Sequence, residues 1–354
     1  MFIKIGMNMK KILYLVIFTF VISGLAFSQA DLQPVAVVNL TKSEPITVKQ
    51  FRTEVDRMAK QAGRALTATE QRQVLDVMIN EKLAMQAAEQ DKITVSDSEV
   101  NQQLQALRNN LAQSLGRNPT DAEFSQAVMN DTGLDLPAFR DQLKKQITMQ
   151  KYIMDKKKDL LTNIPDPTDQ EVTDAYNLYK SQFVRPDTVR FSMIQIPFTD
   201  DASKAKAKVI ADRLSQTIGT DPAKFDDALL KGQVPNAEYQ AGDAGYLPRN
   251  PQAVQMVGAD FINMAFSLKQ GEVSKMIESA RSYQMIKITE AYTQKTLELD
   301  DIFDLASRTT VRDYIKSSLL GQRQQAAIDQ ASQEIVTELR TGNPFQIIEA
   351  NLNL

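Results

Sequence analysis

Between residues 311 and 339, Val311, Ile315 and Leu319, then Ile328, Ala331, Ile335 and Leu339, recur at the spacing of a helix with one apolar face. Such a helix does not stand alone in water, so its stripe needs a partner. The stretch before it offers little: residues 188–290 read as a small α+β unit. Its expected order is strand Thr188–Pro197, helix Ala202–Gln216, helix Pro222–Leu230, strand Gly245–Pro248, a helix ending at Phe266, and strands Met276–Ala280 and Tyr283–Glu290. The better partner lies at the other end of the chain. Thr67-x-x-Glu70 is a capping box opening a helix to about Gln90, with Val74, Met78, Ile79 and Leu83 on one face. Ser96-x-x-Glu99 opens a second helix carrying Val100, Leu104, Leu107, Leu111 and Leu115, broken by Gly116-Arg117-Asn118-Pro119. A further helix starts at Thr120, and a long one from about Pro137 carries Phe139, Leu143, Ile147 and Met154. Ile164-Pro165-Asp166-Pro167 interrupts helix on both sides, and Thr168-x-x-Glu171 is a third capping box. A strand at Val35–Asn39 lacks a neighbour nearby, as does a terminal strand at Phe345–Glu349. These features predict a discontinuous domain, residues 31–184 completed by 295–354, with the α+β module 185–294 inserted.

The chain has no Cys, His or Trp. That excludes thiolate and imidazole metal sites, cysteine nucleophiles and Ser-His-Asp triads. Carboxylate, Lys or Tyr chemistry remains, or none, and no cofactor or metal is expected. The start of the chain reads as a route. Lys10 and Lys11 precede the apolar run Ile12–Ile22, and small residues follow, so residues 1–30 read as a secretory signal peptide cleaved after Ser28 or Ala30. An uncleaved anchor is the rival reading, but Ile12–Phe27 is shorter than the ~20 residues a spanning helix needs. No later segment is apolar enough to span a membrane, so no stable insertion is expected after cleavage. The net charge is -3; without Lys4, Lys10 and Lys11 the balance is 38 basic to 44 acidic residues. A mildly acidic chain argues against nucleic acid as a partner.

Three segments carry a resemblance: VLDVMINEKLAMQAAEQDKITVSDSEV at 74–100, PTDQEVTDAYNLYKSQFVRPDTVRFSMIQI at 167–196 and FINMAFSLKQGEVSKMIESARSYQMIKI at 261–288. In this order the chain resembles the SurA-type and PrsA-type secreted folding factors. Its inserted segment is similar to the parvulin family of peptidyl-prolyl cis-trans isomerases. The resemblance implies an α+β protein: a discontinuous, mostly helical SurA-N-like chaperone domain, of N-terminal helices plus a returning C-terminal helix and strand, with one inserted parvulin-like domain. No Cys follows the signal, so lipid attachment is not expected and the soluble SurA-like arrangement is the closer one. Periplasmic location follows from that arrangement. The partners it implies are unfolded or proline-containing client polypeptides, outer-membrane proteins among them in a two-membrane bacterium.

Active parvulins carry a histidine on the first strand and another on the last. Here the matching triplets are Ser192-Met193-Ile194 and Tyr283-Gln284-Met285, so Met193 and Gln284 occupy the histidine positions. The acidic or thiol position falls near Gln233, Val234 and Pro235, and none can serve. Asp226 and Asp227 come too early in the pattern and read as solvated helix-surface charges. The resemblance therefore implies a module with no catalytic residue, holding peptide in a groove of Met193, Leu247, Met256, Phe261 and Gln284. An ordinary small-domain core is the other reading of the apolar members. Gly242-Asp243-x-Gly245 matches the family's glycine turn and is expected to supply positive-φ geometry. Lys156-Lys157-Lys158 reads as a solvated helix end. Met58, Met78, Met85, Met129, Met149 and Met154 are candidates for an adaptable client surface in the helical domain, because methionine is flexible and polarizable. A chaperone is the leading reading. An active isomerase stays open beside it, with shape and desolvation speeding rotation about the X-Pro bond.

Overall fold

A computed structural model describes residues 31–352. The signal-peptide reading of residues 1–30 lies outside the described residues. The chain opens with strands β1 (Pro34–Val38) and β2 (Glu44–Thr47), followed by helices α1 (Val48–Ala62), α2 (Ala68–Gln90), α3 (Asp97–Leu115), α4 (Asp121–Thr132), α5 (Leu136–Lys156) and α6 (Lys158–Thr162). Next come α7 (Asp169–Tyr179), β3 (Val184–Arg185), β4 (Thr188–Pro197), α8 (Asp201–Ile218), α9 (Pro222–Gly232) and β5 (Gln240–Pro248). Then follow α10 (Pro251–Val257), α11 (Ala259–Ser267), β6 (Ile277–Glu278), β7 (Ser282–Tyr292), β8 (Lys295–Thr296), β9 (Ile302–Asp304) and β10 (Thr309–Thr310). The chain closes with α12 (Val311–Arg340) and β11 (Phe345–Ile347). The fold is α+β, as the sequence predicts.

Local chemistry sets the helix ends. Thr67, Ser96 and Thr168 each accept a hydrogen bond from the backbone N–H three residues on, and Glu70, Glu99 and Glu171 each accept one from the cap residue's own N–H. These are the three predicted capping boxes; Thr47 with Gln50, Thr120 with Glu123 and Asp200 with Ser203 add three more. Each reciprocal pair satisfies two of the N–H groups that a helix start leaves unpaired. Gly63, Gly116 and Gly133 close α1, α3 and α4 in the left-handed conformation that glycine adopts without a Cβ penalty.

The described chain divides into two compact units: residues 31–164 together with 323–352, and residues 165–322. In the first, β11, β1 and β2 form an antiparallel sheet with β1 central. Ala36 faces Ile347 on one side and Ile46 on the other, so the two strands that lacked sequence neighbours pair with each other. Val35, Val38 and Ile46 pack with Phe51 of α1 and Leu75, Ile79 and Leu83 of α2. Ala331 and Ile335 of α12 pack with Ala87 and Ala88 of α2 and Tyr152 and Ile153 of α5. That covers part of the stripe that opened the sequence argument, although Ile328 is exposed. A smaller cluster joins Val95, Val100, Leu143 and Ile147.

In the second unit, the sheet runs β5-β4-β7-β6, antiparallel throughout. Side chains alternate across it. Ile194, Ile196, Tyr283 and Met285 pack with Ala207, Ala211 and Leu214 of α8 and Phe225 and Ala228 of α9. Val189, Phe191, Ile286 and Ile288 pack on the opposite face with Leu247, Ala253 of α10 and Ile262 and Ala265 of α11. Phe225 and Ile194 are fully buried; burying each such side chain contributes about 1.5–3 kcal/mol. The helix expected to end at Phe266 is two helices, broken at Gly258 with φ 86°. Outside the sheet, Val172, Tyr176 and Phe183 pack with Leu297, Val311 and Ile315. Tyr176 donates to the Leu297 carbonyl at 3.1 Å and to Glu298 at 2.8 Å. The sequence reading placed these flanking segments with the helical domain; here they have a core of their own.

Candidate functional site

The two substituted histidine positions lie on the sheet face toward α10 and α11. Register sets this: Met193 faces Ile286, and Gln195 faces Gln284, on adjacent strands β4 and β7. Met193 is half-buried and packs with the Phe191, Ile286 and Ile288 cluster. Gln284 is also partly buried, diagonal to Met193 on the same face. Its amide nitrogen donates to Ser282 Oγ at 2.8 Å, and the Gln195 amide donates to the same oxygen at 3.1 Å. Ser279 Oγ stands 3.0 Å from Ser282 Oγ and also donates to the Ser282 carbonyl at 2.9 Å. The network is neutral, and each member holds another in place. No group in it has an ordinary pKa near neutrality.

The apolar members divide. Phe261 of α11 is half-buried, its ring 5.7 Å from that of Phe191 and tilted by 58°. Leu247 is 4% exposed and belongs to the core beneath. Met256, on α10, is 75% exposed and stands outside the cluster. The structure thus brings Met193, Leu247 and Phe261 into one packed group, with Gln284 on the same face, and leaves Met256 apart. Sequence reasoning missed Gln195 and Ser282. Both sit two residues from a named position, and strand alternation was the signal that could have found them.

Of the two acids on α9, one has an ion-pair partner. Asp226 of α9 pairs with Lys287 at 2.7 Å, against the α8 and α9 face; the residue read as a solvated charge has a specific partner. Gln233, Val234 and Pro235 lie exposed after α9. Gly242-Asp243-x-Gly245 is not a turn between elements. It lies inside β5, where Phe191 faces Gly245 and Ser192 faces Asp243, so Ala244 is the extra residue of a bulge. Gly245 there has φ 80°, as the glycine argument requires. Asp243 pairs with Arg190 at 2.6 Å, and Arg190 also reaches Glu290 at 2.9 Å. Tyr292 and Tyr246 both donate to Glu290. The hydrogen bond to the Glu290 carboxylate pushes the Tyr292 hydroxyl up to about 12. This cluster clamps the bulged end of the sheet.

In the other unit, the six methionines do not form one surface. Met78 and Met85 line a cavity of about 550 Å³ between β2, α2 and α5. Met58 and Met149 are partly buried against the cores, and Met129 and Met154 are exposed. No group of acids that could hold a metal ion occurs among the described residues. None of the described helices is long and apolar enough to cross a membrane.

An antiparallel sheet with this helix arrangement is a parvulin-type isomerase fold: residues 167–304 match the PPIC-type PPIASE domain family. Residues 4–153 match the SurA-like N-terminal domain family. The chain belongs to the SurA/PrsA-type foldases, which join a chaperone domain to a peptidyl-prolyl isomerase domain. It is similar to the foldase protein PrsA of Clostridium botulinum (strain Loch Maree / Type A3), 24% identical over 317 residues, covering 86% of this chain and 83% of the relative. The PrsA of Clostridium kluyveri is 24% identical over 274 residues, covering 75% of this chain and 71% of the relative. Among solved structures, a SurA-like chaperone of Campylobacter jejuni is 16% identical, with 90% of this chain and all of that one covered and a TM-score of 0.37. PrsA from Bacillus subtilis is 22% identical, covering 85% and 92%, with a TM-score of 0.28.

Proposed function

We propose that this chain is an ATP-independent chaperone that binds unfolded polypeptides, and that its parvulin-like module holds client chain without accelerating prolyl isomerisation. The observation that carries this reading is the neutral face of β4 and β7. Where the family places histidines it presents Met193 and Gln284, and around them Gln195 and Ser282. Isomerisation needs no covalent step, but the catalyst must stabilise a twisted amide against a barrier of ~18–20 kcal/mol for an ordinary peptide bond, lower before proline. An apolar patch beside amide side chains binds an extended peptide through contact area and backbone hydrogen bonds. It offers no charged group aimed at the rotating bond. Met193, Phe261 and Gln284 form the contact face in this reading, with Leu247 supporting it from the core. We take residues 185–294 as the module, carried by the discontinuous helical domain. Export by residues 1–30, a periplasmic setting and outer-membrane clients complete the proposal. The relatives' description as foldases supports it at the level of class.

A protease-coupled proline-peptide assay on the mature chain tests the catalytic half. The rate is expected at background; a clear acceleration that Phe261→Ala abolishes would make the module an enzyme. Aggregation of an unfolded β-rich client tests the other half. Suppression is expected near a one-to-one ratio, and none at several-fold excess would remove the chaperone reading. Affinity is expected to be modest, because a disordered client loses entropy on binding.

A further inference from the structure

Two glutamines of the β4–β7 face have their amide orientation set by a buried serine. Ser282 is 1% exposed, and its single hydroxyl proton goes to Ser279 Oγ at 3.0 Å, because the Ser279 proton is already on the Ser282 carbonyl at 2.9 Å. Ser282 Oγ therefore offers its other neighbours lone pairs and no proton. Those neighbours are the Gln284 amide at 2.8 Å and the Gln195 amide at 3.1 Å, so both glutamines turn NH2 groups to it and carbonyls away. Neither carbonyl oxygen accepts a hydrogen bond from a described residue, and neither is shut off from solvent. Register extends the row, with the exposed Gln240 of β5 directly opposite Gln195. In the next row Gly242, Met193 and Ile286 stand side by side. Gly242 lies outside the left-handed region, and a Cβ there would meet nothing within 4 Å. The backbone does not need glycine at this place, and the missing side chain leaves a trough beside Met193. A glycine inside a strand often marks the close approach of another backbone.

We infer that the Gln195 and Gln284 carbonyls read the main chain of a client. An extended segment lies in the trough over Gly242, against Met193, and donates backbone N–H groups to the two oxygens, with Ser282 as the positioning residue. Three features select that occupant. Acceptors that reach solvent and have no partner ask for donors. The donor is neutral, because neither row carries a charge and a cationic side chain would be desolvated without a counter-ion. The donor belongs to a backbone, because the open floor at Gly242 admits a chain at close range. Every polypeptide carries such N–H groups, so the site takes segments with little regard to their side chains. That the occupant is a client rests on the chaperone reading; the orientation of the two amides does not.

The experiment uses the full mature chain with carbon-13 methyl-labelled methionine, the Met193 signal being assigned by Met193→Leu. The probe is the capped peptide Ala-Leu-Ala-Pro-Phe-Ala-Leu-Ala. It is compared with analogues in which one amide at a time becomes an ester, which deletes a single N–H and keeps every side chain. Expected is saturable movement of the Met193 methyl with the peptide. At least one ester is expected to bind about three- to tenfold more weakly, the net worth of one hydrogen bond. Ser282→Ala is expected to erase that difference, which a loss of stability would not do, since peptide and ester meet the same folded fraction. Gly242→Val is expected to remove peptide binding while the denaturant midpoint holds or rises, because a β-branched residue suits a strand. Equal binding of the peptide and every ester, a Met193 methyl that stays still, or full binding by Gly242→Val would each overturn the inference. So would a requirement for asparagine or glutamine in the peptide, which would make a side-chain amide the donor. The ester comparison needs no variant, so it decides the matter even if the variants misfold. Suppressed aggregation with equal ester binding would sink this inference and spare the chaperone reading; an ester penalty without suppression would do the reverse.

Discussion

Burial pushes the Glu81 carboxyl above its usual range, opposed by Lys145 and Lys82 and reinforced by Glu54. The folded chain therefore keeps this proton to higher pH than the unfolded chain does. Above the ordinary carboxylate value of ~4.3, the folded state binds more protons, so this group's contribution to stability falls as pH rises. Replacing Glu81 by Gln removes that slope. The unfolding free energy of Glu81→Gln relative to the parent is expected to increase between about pH 4 and pH 8, by up to about 1–3 kcal/mol, the cost of an unpaired buried polar group. Denaturant titrations across that range check it, and a difference independent of pH would show that Glu81 is not perturbed. Single residues also mark how far the sequence could be read. Met193 and Gln284 were visible because a motif has fixed positions, and a substitution within it stands out. Gln195 and Ser282 were not, because their role arises from cross-strand register. Met256 was grouped with the apolar face because the family resemblance puts an apolar residue near it. It stays exposed on α10, whose buried residue is Ala253.

Helix starts were the most legible elements. A capping box is a four-residue device, and its residues lie next to one another in the chain whatever the fold does. Its acids carry a pH signature. An Arg64 hydrogen bond and the Thr67 cap hold Glu70 at about 2; Lys151 with the Ser96 cap does the same for Glu99, and Arg117 with the Thr120 cap for Glu123. For an acid lowered by folding, the stabilisation is present above the unfolded value of ~4.3 and is lost as pH falls toward about 2. Thr120→Ala is expected to cost about 1 kcal/mol at pH 7. Its destabilisation should shrink as the acid limb is entered, because Glu123 loses its charge there in either protein. Thermal melts at pH 7 and near pH 2.5 read both effects; an equal cost at both would mean the box contributes nothing through charge. Helix faces were less legible than helix ends. The stripe of α3 is regular, yet Val100 is its one buried residue, and Leu107 and Leu115 are 40% and 45% exposed. Periodicity reports that a helix has an apolar side, not what stands opposite it. The β5 bulge was read as a turn for a related reason: glycine signals positive φ, and both structures use it.

At the scale of the whole molecule, residues 165–322 form a compact unit from one continuous stretch, whereas the other unit is assembled from both ends of the chain. The excised 165–322 segment is expected to unfold in a single cooperative transition. Residues 31–164 alone are expected to lack one, since Ala331 and Ile335 then leave the core against Ala87 and Tyr152, and β1 loses β11. Circular-dichroism melts of the two fragments check this; a cooperative melt of 31–164 would show that the returning segment is dispensable. The discontinuity itself was legible, because an amphipathic helix and a lone strand at the C-terminus had unpaired counterparts near the N-terminus. The flanking core of Val172, Tyr176, Phe183, Leu297, Val311 and Ile315 was not, because neither half looks complete without the other.

The position of β1 between β2 and β11 has a consequence for how the chain is made. As the chain emerges, β1 appears long before β11, so one edge of β1 stays open until everything between them has followed. The second unit has all its parts before then and can fold first, reversing the usual order in which amino-terminal domains lead. Completion of the sheet thus waits on Phe345–Ile347, and a chain stalled before them carries an open strand edge for proteases to find.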